Sequence, residues 1–153
     1  MISIIPFKHG LAKNFRDLNI VWLEQLFKLE PKDKLLLEDC ENEIINKGGY
    51  IFFALIDENI VGCFALIKVS ENVFELGKMA VAPTHQGKNI GQQLLIYALN
   101  FCRDMKCEKL LLYSHTKLKA ALHIYKKHGF IEVPLESKTP YERSNIKMAL
   151  NLN

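Results

Sequence analysis

The residues from Pro83 to Gln93, PTHQGKNIGQQ, are of types that suit anion binding. Gly87 and Gly91 permit positive φ and close backbone approach. Asn89 is the non-glycine residue that best tolerates left-handed φ, and Lys88 adds positive charge. Upstream, Phe74, Leu76, Met79 and Val81 are strand-like, and Pro83 lacks the N–H needed to continue the ladder. Downstream, Leu94, Leu95, Ala98, Leu99, Cys102 and Met105 recur at helical spacing. A helix start with free N–H groups and small residues is a natural anion site, suited to a pyrophosphate. The plainer alternative is an ordinary strand-to-helix loop.

A second constellation follows about 30 residues later, SHTKLKAALHIYKKHGF from Ser114 to Phe130. Leu118, Ala121, Leu122, Tyr125 and His128 share one helical face. Tyr125 is therefore either a core tyrosine or a hydroxyl delivered to a site. The strand before the loop carries Glu75, whose carboxylate could turn toward a site. The alternative is an exposed strand glutamate paired with Lys78. Within the same strand, Phe74 and Leu76 share one parity and Met79 and Val81 the other, so the pattern slips at Gly77-Lys78. Either the sheet is covered on both faces there, or an extra residue forms a β-bulge.

Taken in order, these segments resemble the GNAT superfamily of N-acetyltransferases. Gln86-x-x-Asn89-x-Gly91 is similar to its Q/R-x-x-G-x-G/A loop, with Asn89 where the family usually has glycine. Leu118-x-x-Ala121-Leu122-x-Ile124-Tyr125-x-x-x-Gly129-Phe130 is similar to its later motif, with His115 where asparagine is frequent. The resemblance, strongest over residues 50–132, implies acetyl-coenzyme A as co-substrate; the histidines, with His123 and His128 off one helical face and no H-E-x-x-H, argue separately against a metal. The resemblance also implies that the amides of Gln86, Gly87, Lys88, Asn89, Ile90, Gly91 and Gln92 hold the pyrophosphate. Met79, Ala80 and Val81 would bond the pantetheine as an added strand, with His115 as a further polar contact. Tyr125 would reach the sulfur as general acid, and Glu75, on the strand lining the wedge, would be the general base, directly or through water. The reaction implied is direct attack by a primary amine, on a small molecule or a protein, in a ternary complex. Glu24, Glu30, Tyr141 and Arg143 are candidates for the acceptor side. A non-catalytic acyl-coenzyme A sensor is the alternative, and many relatives are homodimers.

The elements that must position these residues are also legible. A strand over Ile2–Phe7 leads to helices over Gly10–Leu29, stopped by Pro31, and Asp33–Asn46, stopped by Gly48-Gly49. Tyr50–Ile56, Ile60–Val69 and the strand at Phe74 are joined by tight turns and must be antiparallel. Helix 91–105, strand Lys109–Ser114, helix Leu118–His128 and strand Phe130–Leu135 then argue for parallel pairing with helices on both faces. Ser144–Leu152 is a last strand. The expected fold is therefore a mixed α/β sheet in one domain over residues 1–153, with antiparallel N-terminal strands and a splayed parallel central pair.

Composition limits the alternatives. A 49% hydrophobic and 24% charged chain is ordinary for a soluble globular domain. No apolar run approaches the roughly 20 residues of a membrane span. The N-terminus lacks the pattern of a secretory signal, and four cysteines without metal-type pairing suit reduced thiols in the cytoplasm. The net charge of +3 conceals 8 Lys+Arg against 12 Asp+Glu in residues 1–77, and 9 against 2 in residues 78–128. The half holding the phosphate loop is basic, but no aromatic–basic interleaving supports nucleic-acid binding. The acidic half hints at a cationic acceptor.

Overall fold

The computed structural model describes residues 2–153. Its centre is a seven-stranded mixed sheet in the order β1-β2-β3-β4-β5-β7-β6. The strands are β1 (Ser3–Pro6), β2 (Tyr50–Ile56), β3 (Asn59–Ser70), β4 (Val73–Val81), β5 (Lys109–Ser114), β6 (Ile131–Val133) and β7 (Ile146–Asn151). Helices α1 (Ala12–Leu26) and α2 (Pro31–Glu38) cover one face, while α3 (Ile90–Asp104) and α4 (Lys119–Lys127) cover the other.

The strands alternate between these two layers. On β2, Phe52 and Ala54 pack toward α3 and Ile51 and Phe53 toward α1. On β3, Phe64 and Leu66 take the α3 face, and Cys63 and Ala65 the α1 face. With both faces covered, the central strands read as nearly continuous apolar runs. All four cysteines are buried and free.

Three expectations need correction. Pro31 does not stop the first helix: it is the first residue of α2, where a missing N–H costs nothing. The first helix ends earlier, at Phe27, whose backbone is extended. The second helix does not run to Asn46. It breaks after Glu38, and a π-helical turn covers Glu41–Ile45. Finally, parallel pairing is confined to β4 and β5. β7 inserts beside β5 and runs antiparallel to it, leaving β6 antiparallel at the sheet's edge. β6 is three residues long with Ile131 and Glu132 exposed, so it cannot serve as a doubly covered interior strand.

Candidate active site

The loop after β4 has the backbone its sequence requires. Gly87 lies at φ +80° and Asn89 at φ +61°, so Asn89 takes the left-handed conformation and stands as N-cap of α3. Its side chain makes no capping bond, and the first amides of α3 have no helical acceptor. A Cβ at Gly91 would meet nothing within 4 Å, so this helix start faces open space. Gln86 turns back to donate to the Val81 carbonyl at 3.3 Å. Lys127 of α4 donates to Gln92 at 3.2 Å, adding a second ammonium to that of Lys88 near the helix start. Ile90 is buried in the core, leaving only its amide for a ligand.

The parity slip in β4 is a β-bulge. Gly77 pairs with Ala65 and Ala80 with Cys63, so Lys78 and Met79 together oppose the single residue Phe64. The bulge turns Ala80 into the α1 layer, whereas Phe74 and Leu76, of the same parity, pack in the α3 layer. Met79 and Val81 now face α3. β4 and β5 pair only from Val73 to Glu75, against Lys109–Leu111, and then part. The gap is a cavity of about 200 Å³ whose lining includes Met79, Leu112, Ser114, Ala121 and Tyr125. Burial pushes the Tyr125 phenol up to about 12, so the hydroxyl stays protonated and able to donate.

A second cavity continues from the first. The two share Trp22, Lys78, Tyr113 and Ser114 among their walls, and the second adds Phe27, Glu75, Tyr141 and Arg143. Glu75 is 5% exposed, so the reading of an exposed glutamate fails. Burial raises its pKa, against the opposing charges of Lys32 and Lys78, and the Tyr141 hydroxyl faces it. Lys78 does not bond Glu75 but Asp33, at 2.7 Å. Asp33 also takes both Nη groups of Arg143, at 2.6 and 2.9 Å, and the Glu30 amide at 2.9 Å. Burial alone would raise the Asp33 pKa. The Arg143 hydrogen bonds and the Lys78 charge outweigh it and hold the carboxyl at about 2.

The structure thus brings together Glu75, the bulge, Tyr125, Tyr141 and Arg143. Glu30 is near but engaged: it accepts from the amides of Glu142 and Arg143 and from Arg143 Nη1, latching the 134–145 loop to α2. Glu24 is exposed and outside both cavities. His115 lines the second cavity and not the wedge. Its Nδ1 accepts from the Lys117 amide at 3.0 Å, and its ring stands edge-on to Phe27. Trp22, Phe27, Asp33, Tyr113 and Ser114 were not anticipated. Trp22 sits at core spacing on α1, so periodicity hid it. Asp33 carried one signal, its place three residues after Glu30 in a capping box.

The model of the Acetyltransferase (GNAT) family matches residues 15–130. The chain belongs to this family. As a GNAT acetyltransferase it is an acyl-transfer enzyme built on the fold described above. Spermidine N(1)-acetyltransferase of Vibrio cholerae is 28% identical over 133 residues, spanning 84% of this chain and 73% of that relative. The crystal structure of a GNAT acetyltransferase from Staphylococcus aureus superposes with a TM-score of 0.88 at 26% identity, covering 100% of both chains. The Vibrio cholerae spermidine N-acetyltransferase in complex with coenzyme A and spermine has the same fold, with a TM-score of 0.74 at 21% identity. It covers 99% of this chain and 95% of that one.

Proposed function

We propose that this enzyme moves an acetyl group from acetyl-coenzyme A to a primary amine by direct attack in a ternary complex. The observation that carries the reading is the continuity of the two cavities: one runs along the splayed strand to Tyr125, and the other holds Glu75. The residues present fit the co-substrate. An open helix start with left-handed Asn89 suits the pyrophosphate, and the β4 edge beyond Glu75, no longer paired with β5, suits an extended pantetheine. When bound, acetyl-coenzyme A supplies an activated thioester.

The protein's own groups do the rest. Backbone N–H at the bulge polarises the acetyl carbonyl. Glu75, directly or through a water, takes a proton from the amine as its nitrogen forms the C–N bond. The C–S bond breaks, and Tyr125 gives its proton to the departing sulfur. A buried, raised carboxylate is a stronger base than a solvated one, which suits removal of a proton from nitrogen. The kinship with a spermidine acetyltransferase makes a polyamine one acceptor to be considered.

Acetyl-coenzyme A and a panel of primary amines, followed by thiol release and by the mass of the acetylated product, test the reading. Amine-dependent thiol release is expected. Tight coenzyme A binding without release on any amine would instead support an acyl-coenzyme A sensor.

A further inference from the structure

We propose that the acceptor is a primary amine that also carries an anionic group, a carboxylate or a phosphate, and is not a polyamine. This rests on the functional reading above and narrows it to a substrate class. Recognition of a polyamine needs free carboxylates or open aromatic faces for its further ammonium groups. At the acceptor cavity the carboxylates other than Glu75 are paired, and cations already stand over three aromatic rings, Tyr141, Phe27 and Tyr113. Asp33 is neutralised by Lys78 and Arg143, Glu30 by Arg143, and Glu136, which bonds Tyr113 at the rim, by Lys147. Glu75 is the one carboxylate in the lining, and the reaction uses it as base.

The rings of Tyr141 and Phe27 each carry more than one cation. Over the Tyr141 ring stand Lys78 at 4.5 Å, Arg143 at 4.6 Å and Lys32 at 5.3 Å. Lys117 stands over the Phe27 ring at 4.0 Å and Arg143 at 5.8 Å. Two of these cations, Lys32 and Lys117, have no carboxylate partner among the described residues. Arg143 bonds Glu30 and Asp33 through three N–H groups, leaving its Nε–H and one Nη2–H. A second ammonium entering here meets like charge, and an anion meets the remaining Arg143 N–H groups and two ammoniums that no carboxylate bonds, Lys117 donating also to the Leu26 carbonyl. The acidic excess of the first 77 residues, which hinted at a cationic acceptor, is at this cavity consumed in ion pairs.

The test uses three series of acceptors of two to six carbons that differ only at the far end: alkylamines, diamines, and aminoalkanoates or aminoalkyl phosphates. The expected order of kcat/KM is anionic, then neutral, then diamine, with about tenfold between the anionic and neutral members at the best length. Raising the salt concentration should narrow that gap. The double variant Lys32→Gln/Lys117→Gln should lower the anionic-to-neutral ratio by a similar factor. Using the ratio cancels any shared effect on Glu75. The carboxylate and phosphate arms identify which anion is read. Diamines or spermidine used as well as the anionic amines, or a ratio unmoved in the double variant, overturns the inference and leaves acetyl transfer standing. If no amine in the series is acetylated, the inference falls. The functional reading falls with it only if the wider panel of primary amines also gives no thiol release.

Discussion

Lys78 and Asp33, 45 residues apart, form a buried ion pair: Nζ lies 2.7 Å from Oδ1, with the side chains 3% and 0% exposed. Lys78 is the bulge residue and holds φ +52°, a left-handed conformation that disfavours a residue with a Cβ. Its side chain is staked to α2 through Asp33, and Arg143 ties the same carboxylate to the loop before β7. One aspartate thus fixes the bulge that opens the wedge and the loop that walls the acceptor cavity.

Asp33→Ala should therefore strand a buried lysine and much of an arginine's charge. Removing one partner of a buried pair typically costs about 3–5 kcal/mol. The double variant Asp33→Ala/Lys78→Met should recover part of this, because the unpaired ammonium is gone. Urea unfolding of the parent and both variants checks the order. A single variant within about 1 kcal/mol of the parent, the range of exposed pairs, would contradict the role given to Asp33.

The distance between Asp33 and Lys78 explains what sequence could and could not reveal. The bulge was legible because a period-two slip is written in adjacent residues, Phe74 to Val81. The loop was legible because Gly87, Asn89 and Gly91 are local conformational requirements. The ion pair was not, since two charged residues far apart carry no mark of meeting in a core. The insertion of β7 between β5 and β6 is likewise a long-range choice that alternation cannot encode. Pro31 is ambiguous locally, since proline both ends and begins helices. Glu75 stands out in sequence by its place on the strand, but its burial beside Tyr141 depends on a residue distant in the chain, and no local pattern records that.

At the loop, Asn89→Gly should preserve or improve coenzyme A affinity. Glycine adopts φ +61° without strain, and the Asn89 side chain caps nothing. Gly91→Glu should abolish binding, because its side chain enters the open space before the helix start with a negative charge. Isothermal titration with coenzyme A separates the cases. A tenfold loss in Asn89→Gly would make the Asn89 side chain itself a ligand.

Glu75→Gln should slow transfer by about 10²–10⁴-fold, the usual range for a general base. The same variant should be more stable than the parent at neutral pH. A carboxyl whose native pKa is raised contributes stability that is full below its free value of 4.5 and is lost as pH rises through the native value. Ionisation of Glu75 therefore costs the folded protein more than the unfolded chain, and Gln removes that cost. In the parent, kcat/KM should fall as pH drops through that raised value, which lies above the free carboxyl's 4.5. Thermal melts and a pH–rate profile test both. Transfer at the parent rate in Glu75→Gln would remove it as base.

The account stands most directly on Tyr125. Tyr125→Phe deletes the hydroxyl and keeps the ring, which packs against Phe130 with centroids 5.8 Å apart. The measurement is the single-turnover rate of acetyl transfer to a reactive amine, with coenzyme A affinity determined in parallel. A thiol of pKa about 8.5 leaves fairly well unaided, so the acid's contribution should lie at the low end of its range. The predicted result is a rate lower by about 10–10²-fold with coenzyme A affinity unchanged. Equal rates in parent and variant would contradict the acid role and the arrangement of the two cavities as one catalytic site.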